Sequence, residues 1–196
     1  MQLAGIILAA GESRRMGFPK PLLQLDGKSF LARASEALLT VCDPVIVVLG
    51  HHAGRVLEEA RRLPGVVCVR NPEPDRGMLS SLQCGLRAVP DEAFGVMFLP
   101  VDYPLLRPAS VERLGAAFGE GAGRVWIPTC GGRHGHPVCI ARELAREIFM
   151  LPEDGQPRDV IHAHRNETRY IEVGDPGILR DADTPEALRR MARPKS

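Results

Sequence analysis

Residues 5–23 read GIILAAGESRRMGFPKPLL, an apolar run followed by a loop rich in glycine and cationic side chains. The first apolar residues, 6–9, predict a buried strand because a short unbroken apolar run is typical of one. The run breaks at Gly11 into a loop that contains Arg14, Arg15 and Lys20. Glycine lets the backbone turn its N–H groups toward an anion, and the cationic side chains supply the countercharge. This stretch therefore predicts a phosphate-binding loop after a first strand.

The spacing of the glycines differs from that of the two commonest phosphate loops. The chain has no G-x-x-x-x-G-K-[ST] sequence, and Gly11 and Gly17 do not form G-x-G-x-x-G. The missing second pattern argues against a nicotinamide dehydrogenase. An arginine-rich surface turn after an edge strand is the alternative, and the spacing alone does not decide between the two interpretations.

Length and composition predict a single domain, residues 1–196, with no nucleic-acid or membrane partner. The formal net charge is +1 and no basic block exceeds an arginine pair, whereas nucleic-acid binding usually needs a basic face. No run of 18 apolar residues exists to span a membrane. No basic leader precedes the first apolar run, so we expect a strand there rather than a signal peptide.

The cysteines predict a cytoplasmic protein. Their number is odd, none forms C-x-x-C, and most lie in apolar runs. We therefore expect free thiols that serve as small hydrophobic residues. They are Cys42, Cys68, Cys84, Cys130 and Cys139.

Strands and helices alternate along the chain, which implies right-handed crossovers and a mainly parallel sheet. Largely apolar runs predict strands over residues 45–50, 66–71, 95–104 and 124–129. Ligands of such sheets bind outside the carboxyl ends of the strands. Four residues of interest stand at those ends: Gly11, Gly50, Asn71 and Asp102. Their convergence is the main residue-level argument for a site in the first half of the chain.

Two polar features have both a functional and a structural interpretation. Ser80 and Ser81 lie in the first turn of a predicted helix over residues 77–86, where they either cap the helix or face a nucleotide. Asp102 ends an apolar strand, where a carboxylate suits a Mg²⁺ bound to a triphosphate. An Asp-x-Pro turn explains the same aspartate without a metal.

The histidines invite a metal interpretation that the sequence does not favour. The pair His51-His52 has no carboxylate or cysteine at ligand spacing nearby, which favours a solvated or hydrogen-bonded pair. His134 and His136 have a spacing that suits ligands on a strand, and this alternative stays open on the residues alone. His162 and His164 lie near the end of a short predicted helix, and we expect both to be exposed.

The pattern L-A-A-G-x-S-x-R-M-G-x-x-K over residues 8–20 resembles the signature of nucleotidyltransferases with the molybdopterin-nucleotide-transferase type of fold. This resemblance implies a three-layer α/β/α fold with a Rossmann-like, mostly parallel sheet of the nucleotidyltransferase (GT-A-like) type. Within the group, Ala9-Ala10-Gly11 resembles the molybdenum cofactor cytidylyltransferase branch, whereas the guanylyltransferase branch usually has Ala-Gly-Gly. Looser similarities extend over nearly the whole chain.

The resemblance implies a role for each matching residue, with nucleotide binding in the N-terminal half and acceptor binding in the C-terminal half. The nucleotide contacts would be Leu8, Ala9, Ala10, Gly11, Arg15, Lys20, Asn71, Gly77, Ser80 and Ser81. The catalytic residues would be Arg15, Lys20 and Asp102. The Mg²⁺ ligands would be Asp102 and Asp183, with Asp181 as the alternative to Asp183. The acceptor contacts would be Arg133, His134, His136 and Arg158.

The chain departs from the family pattern at two places. Tyr103 stands where the family usually has Gln in Asp-Gln-Pro, so the contacts of that position are expected to differ. Where the family often has Gly-Asp-x-Gly-Ala-Arg, this chain keeps Gly155 and Arg158 but has Gln156-Pro157. For Asp183, a helix start at Thr184-Pro185 is a sufficient structural explanation.

The implied reaction is Mg²⁺-dependent transfer of CMP from CTP to the phosphate of molybdopterin, with release of pyrophosphate. No general base is needed because a phosphomonoester is already largely ionised at neutral pH. The alternatives are a GTP-using molybdopterin transferase and a cytidylyltransferase for a small phosphorylated acceptor. A non-catalytic carrier that delivers cofactor to a molybdoenzyme is a further alternative. The presence of Arg15, Lys20, Asp102 and Asp183 argues against it.

Overall fold

The computed structural model describes residues 2–192. Its strands are β1 (Leu3–Ala9), β2 (Gln24–Leu25), β3 (Lys28–Ser29), β4 (Cys42–Leu49), β5 (Val66–Arg70), β6 (Gly95–Pro100), β7 (Val125–Cys130), β8 (Arg133–His134), β9 (Val138–Ala141) and β10 (Thr168–Glu172). Its α-helices are α1 (Phe30–Leu38), α2 (Ala53–Ala60), α3 (Met78–Arg87), α4 (Pro108–Gly119), α5 (Arg142–Phe149), α6 (Pro157–Ala163) and α7 (Pro185–Met191).

The main sheet has the strand order β10-β7-β9-β6-β1-β4-β5, and β8 adds to β7. The pairs β1–β4, β1–β6, β4–β5 and β7–β10 are parallel, which confirms the predicted mostly parallel sheet. Strand β9 runs antiparallel to both of its neighbours, β6 and β7. Because β9 reverses direction between them, the carboxyl ends of β6 and β7 still lie at the same edge as that of β1.

Strand β1 is the point where the strand order reverses. The chain adds β4 and β5 on one side of β1 and then places β6 on the other. Leu8 pairs with Val48 of β4 and with Pro100 of β6, so the three carboxyl ends are level. A crevice opens beyond the strands at such a reversal, and ligands of open α/β sheets bind there.

Two apolar cores flank the sheet, which confirms the predicted three-layer α/β/α arrangement. Successive side chains of a strand point to opposite faces, and Ile7 joins one core while Ile6 joins the other. The first core packs residues of α1, α2 and α4 against the sheet, including Leu31, Val56 and Leu114. The second packs residues of α3 and α5.

Hydroxyl side chains cap the N-termini of α1 and α7. Ser29 caps α1, since its Oγ accepts a hydrogen bond from the backbone N–H of Ala32 at 3.0 Å. Thr184 caps α7 in the same way, with Pro185 as the first helical residue. Helix α3 differs, because Gly77 is its N-cap and the hydroxyls of Ser80 and Ser81 donate to the carbonyl oxygen of Gly77. The capping interpretation of these two serines was therefore wrong.

The five cysteines are free thiols, as predicted, and Cys42 and Cys139 are buried. Burial raises the pKa of the Cys42 thiol to about 12, so this side chain behaves as a neutral apolar group. Among residues 2–192 there is no helix of the length and apolar character needed to cross a bilayer.

An ion-pair cluster joins α5 to the segment that leads into β10. His164 contacts Glu147 at 3.1 Å through Nε2 and Glu167 at 3.0 Å through Nδ1. Its side chain is only 18% exposed, so the expectation of an exposed His164 was wrong. Hydrogen bonds to Glu167 and then to Glu147 raise the pKa of His164 above its usual value.

We predict that His164 makes the stability of the protein depend on pH. Because its folded-state pKa lies above the unfolded one, the contribution is fully present below the unfolded pKa and is lost as pH rises through the folded pKa. The melting temperature of wild type should exceed that of His164→Gln by about 2 °C at pH 6, and this gap should close by pH 9. The exposed His162 provides the control, since the difference in melting temperature between wild type and His162→Gln should not depend on pH. An equal difference for His164→Gln at pH 6 and pH 9 would contradict the role assigned to His164.

Candidate functional site

The loop after β1 places Lys20 at the strand-order reversal. Ser13 and Gly17 have positive φ angles, 61° and 64°, which fold the loop back on itself. The backbone N–H of Lys20 donates to Ser13 Oγ at 3.0 Å. Across the crevice, Gly50 lies so close to Ala10 that a Cβ at residue 50 would meet the carbonyl oxygen of Ala10 at 2.5 Å. The loop is therefore fixed both within itself and against the end of β4.

Lys20 lies between two carboxylates that are distant in sequence. Its Nζ donates to Asp102 Oδ2 at 2.7 Å and also to Asp183 Oδ1. Arg15 contacts the other oxygen of Asp183 at 3.0 Å. The structure thus brings together the four charged residues that the sequence analysis singled out: Arg15, Lys20, Asp102 and Asp183.

A backbone hydrogen bond holds the second carboxylate in place. The N–H of Ala182 donates to the carbonyl oxygen of Asp102 at 2.8 Å, and Ala182 is fully buried. This bond ties the segment before α7 to the turn after β6. It directs Asp183 toward Lys20, whereas Asp181 is exposed.

The charges of the cluster are mutually stabilised. Burial lowers the pKa of Lys20, but hydrogen bonds and attraction from Asp102 and Asp183 outweigh burial, so the pKa is raised overall. The hydrogen bond from Lys20 holds the pKa of Asp183 below its usual value, with a further contribution from Arg15. Lys20 is therefore an ammonium and Asp183 a carboxylate at neutral pH.

The donor set fits a hard divalent cation. Asp102 Oδ1 is buried and has no hydrogen-bond partner among the residues that the structure describes. A buried carboxylate oxygen without a partner is unusual, and an ion is one of its explanations. Mg²⁺ prefers one or two carboxylates together with phosphate oxygens. Asp102 and Asp183 supply such a pair.

A cleft of about 460 Å³ opens over this cluster, within the size range of small-molecule sites. Its walls include most of the predicted nucleotide contacts: Leu8, Ala9, Ala10, Gly11, Arg15, Lys20, Gly77 and Ser81. Asp102 and Asp183 also line it, together with Pro100 and Val101. Sequence analysis missed Pro21, Pro74 and Met78, which also line the cleft and carry no chemical signal in the sequence.

Asn71 and Ser80 do not line this cleft, and Asn71 has a different task. Its side chain is buried, and its amide group donates to Ser80 Oγ at 2.9 Å and to Ser81 Oγ at 3.1 Å. Its Oδ1 accepts from the backbone N–H of Glu73 at 2.9 Å. Asn71 therefore positions the loop over residues 72–77 and the first turn of α3, which form one wall of the cleft.

None of the predicted acceptor contacts is among the described residues that line the cleft. His136 lies beside Tyr103, with ring centroids 4.9 Å apart, and burial lowers the pKa of His136 so that its ring is neutral. Its Nδ1 is buried and has no hydrogen-bond partner among the described residues. His134 is exposed and stacks on Tyr170 with ring centroids 4.4 Å apart.

Arg133 and Arg158 are exposed. Within residues 2–192, neither side chain forms an ion pair with Asp102 or Asp183. Tyr103, the departure from the family pattern, is half-buried next to Asp102. Burial and then the nearby carboxylates of Asp102, Asp181 and Asp183 raise its pKa to about 12, so it stays a neutral phenol. The acceptor roles of Arg133, His134, His136 and Arg158 stay predictions.

A second group of ligand-type side chains lies beside the cleft. Glu12, His51 and Asp75 have ligand atoms within 4.8 Å of one another, and His51 Nε2 lies 3.2 Å from Asp75 Oδ1. Both carboxylates come from segments distant from His51 in the sequence, so the spacing around His51-His52 could not reveal them. Glu12 and Asp75 are exposed, and Glu12 also pairs with Arg14.

Comparisons with known proteins identify the group to which the chain is similar. A family model described as "MobA-like NTP transferase domain" matches residues 5–168. A probable molybdenum cofactor guanylyltransferase from Mycolicibacterium paratuberculosis is 30% identical over 203 aligned positions, covering 100% of this chain and 98% of that protein. The molybdenum cofactor cytidylyltransferase of Escherichia coli is 24% identical, covering 92% of this chain and 91% of its own.

Among solved structures, Rv0371c from Mycobacterium tuberculosis H37Rv is similar over nearly its full length. It has a TM-score of 0.82 and 30% identity, covering 98% of this chain and 97% of that one. A second crystal structure of Rv0371c, a complex with manganese, has a TM-score of 0.74, 28% identity and 98% coverage of each chain.

We predict that Asn71→Ala destabilises the protein by about 1–3 kcal/mol, since it removes a buried side chain that makes hydrogen bonds to Ser80, Ser81 and the backbone N–H of Glu73. The measurement is chemical denaturation of wild type and variant. Ser80→Ala removes one partner of the same amide at a partly exposed position and should cost less than about 1 kcal/mol. Equal losses for the two variants would contradict the positioning role of Asn71.

Proposed function

The chain belongs to the family of MobA-like NTP transferase domains, and we propose that it transfers CMP from CTP to the phosphate of a molybdopterin-type acceptor. The observation that carries the proposal is the meeting of Lys20, Asp102 and Asp183 at the carboxyl ends of β1 and β6, beside a loop that suits phosphate. Relatives named molybdenum cofactor cytidylyltransferase and guanylyltransferase support the acceptor class.

Asp102 and Asp183 would hold Mg²⁺, which when bound supplies charge stabilisation for the triphosphate. Lys20 and Arg15 then face the phosphates, and their positive charges offset the negative charge that develops on the leaving pyrophosphate. The backbone of Ala10 and Gly11 lines the cleft next to these cations. The chemistry assigned to the protein is thus positioning and electrostatic stabilisation, with no covalent nucleophile of its own.

The acceptor brings its own nucleophile. A phosphomonoester is largely ionised at neutral pH and attacks the α-phosphate directly, so no side chain has to remove a proton. We place the acceptor on the side of Tyr103 and His136, because both rings adjoin Asp102 and are neutral. A neutral aromatic surface suits the flat pterin ring system.

The choice of CTP rests on Ala9-Ala10-Gly11. Ala10 is buried, and its methyl group points at Gly50, where an added Cβ would lie 2.7 Å from Ala10 Cβ. Ala10 also lines the cleft. Because Ala9-Ala10-Gly11 resembles the cytidylyltransferase branch, whereas the guanylyltransferase branch usually has Ala-Gly-Gly, we assign CTP as the nucleotide.

Three alternatives keep the fold and differ in the ligand. They are a guanylyltransferase for the same acceptor, a cytidylyltransferase for a smaller phosphorylated acceptor, and a carrier that hands cofactor to a molybdoenzyme without turnover. The intact charged cluster favours catalysis over the carrier. The free cysteines fit the cytoplasmic location that the cysteine pattern predicts.

We predict that purified protein with Mg²⁺ and molybdopterin cofactor releases pyrophosphate with CTP and not with GTP, ATP or UTP. The measurement is a coupled pyrophosphate assay with each nucleotide in turn. Release with GTP alone would keep the reaction and overturn the argument from Ala10. Release with none, together with CTP binding by calorimetry, would favour the carrier.

Asp102→Asn and Asp181→Asn are the matched variants for this assay, because each replaces one carboxylate by an amide of the same shape. We expect Asp102→Asn to lower the rate by at least about 100-fold, and the exposed Asp181→Asn to stay within about threefold of wild type. Full activity of Asp102→Asn would contradict the metal assignment.

A further inference from the structure

We infer that Lys20 competes with a divalent metal for Asp102 and Asp183, so that metal binds tightly only together with a nucleotide whose phosphates engage the lysine. This inference deepens the proposed function and rests on it.

Lys20 Nζ is the cation that contacts both Asp102 and Asp183 in the structure. It donates to one oxygen of Asp102 at 2.7 Å and to one oxygen of Asp183. Asp102 Oδ1 is free of this contact, but a divalent cation held by Asp102 and Asp183 would lie close to the ammonium of Lys20, and the two positive charges would repel each other. Lys20 therefore opposes metal binding while it contacts both carboxylates.

The carboxylates stay together without Lys20. The hydrogen bond from Ala182 to the carbonyl oxygen of Asp102 fixes the backbone between them, and Arg15 holds the outer oxygen of Asp183. Removal of the lysine charge thus leaves two adjacent carboxylates without their central cation. Such a pair attracts a divalent metal more strongly than the neutralised pair does.

A triphosphate changes this balance. It offers several anionic oxygens near the loop over residues 11–20, and these replace the carboxylates as partners of Lys20. Asp102 and Asp183, released from the ammonium, would then be free to hold the metal. Each ligand relieves the obstacle to the other, which is positive coupling between two binding events.

The experiment measures Mn²⁺ binding without nucleotide or acceptor, by calorimetry and by the loss of the free Mn²⁺ signal in electron paramagnetic resonance. Lys20→Met should bind Mn²⁺ at least about tenfold more tightly than wild type, because the competing charge is gone. Lys20→Arg, which keeps the charge, should stay as weak as wild type. If Lys20→Met does not fold, Lys20→Gln is measured in its place.

Arg15→Met is the matched control, since it also removes one positive partner of Asp183. Arg15 is 73% exposed and contacts only the outer oxygen, so its loss should change Mn²⁺ affinity by less than about threefold. Every variant carries His51→Ala, which removes the neighbouring group of Glu12, His51 and Asp75 as a binding place. Adding Asp102→Asn to Lys20→Met should abolish the tight binding.

Equal tightening by Lys20→Met and Arg15→Met would overturn the inference, because net charge would then explain both. Unchanged or weaker binding by Lys20→Met would also overturn it. The Mn²⁺ affinities are measured without nucleotide, so they do not depend on the result of the pyrophosphate assay. Tightening confined to the uncharged Lys20 variant, in a protein that does not turn over CTP, would leave the inference standing and contradict the proposed function alone.

Discussion

The ammonium group of Lys20 between the carboxylates of Asp102 and Asp183 is the interaction on which the rest of the site depends. Its three members come from the loop after β1, the turn after β6 and the segment before α7. They meet because β1 and β6 are adjacent and parallel and because Ala182 donates a backbone hydrogen bond to Asp102. The three charged side chains therefore lie together at the strand-order reversal of the sheet.

A charge cluster of this kind is a means of binding rather than of stability. Lys20 and Asp102 have side chains that are only 16% and 18% exposed, so each needs the other to offset its lost hydration. Such partly buried pairs contribute little net stability, but they hold full charges in a fixed geometry. In the proposed function, a bound metal would take the place of Lys20 beside the carboxylates. The phosphates of the nucleotide would take the place of the carboxylates beside Lys20.

The sequence predicted the sheet well because buried strands are unbroken apolar runs, and Val45 to Leu49 is one. It did not predict the hairpin of β2 and β3 or the reversed β9, since two-residue strands and strand direction leave no periodic signal. The loop glycines and Lys20 could be found from residue chemistry. The contact of Asp183 with Lys20 could not be derived from spacing, and neither could the contacts of His51, because both join segments that only the fold brings together.

A crystal structure with Mn²⁺ and a non-hydrolysable CTP analogue tests the central claim most directly. The account predicts anomalous density for manganese in direct contact with Asp102 and Asp183, with Lys20 Nζ moved from the carboxylates to the phosphates and the cytosine beside Ala9 and Ala10. Manganese bound elsewhere, or a nucleotide bound while Lys20 still bridges Asp102 and Asp183, would contradict it.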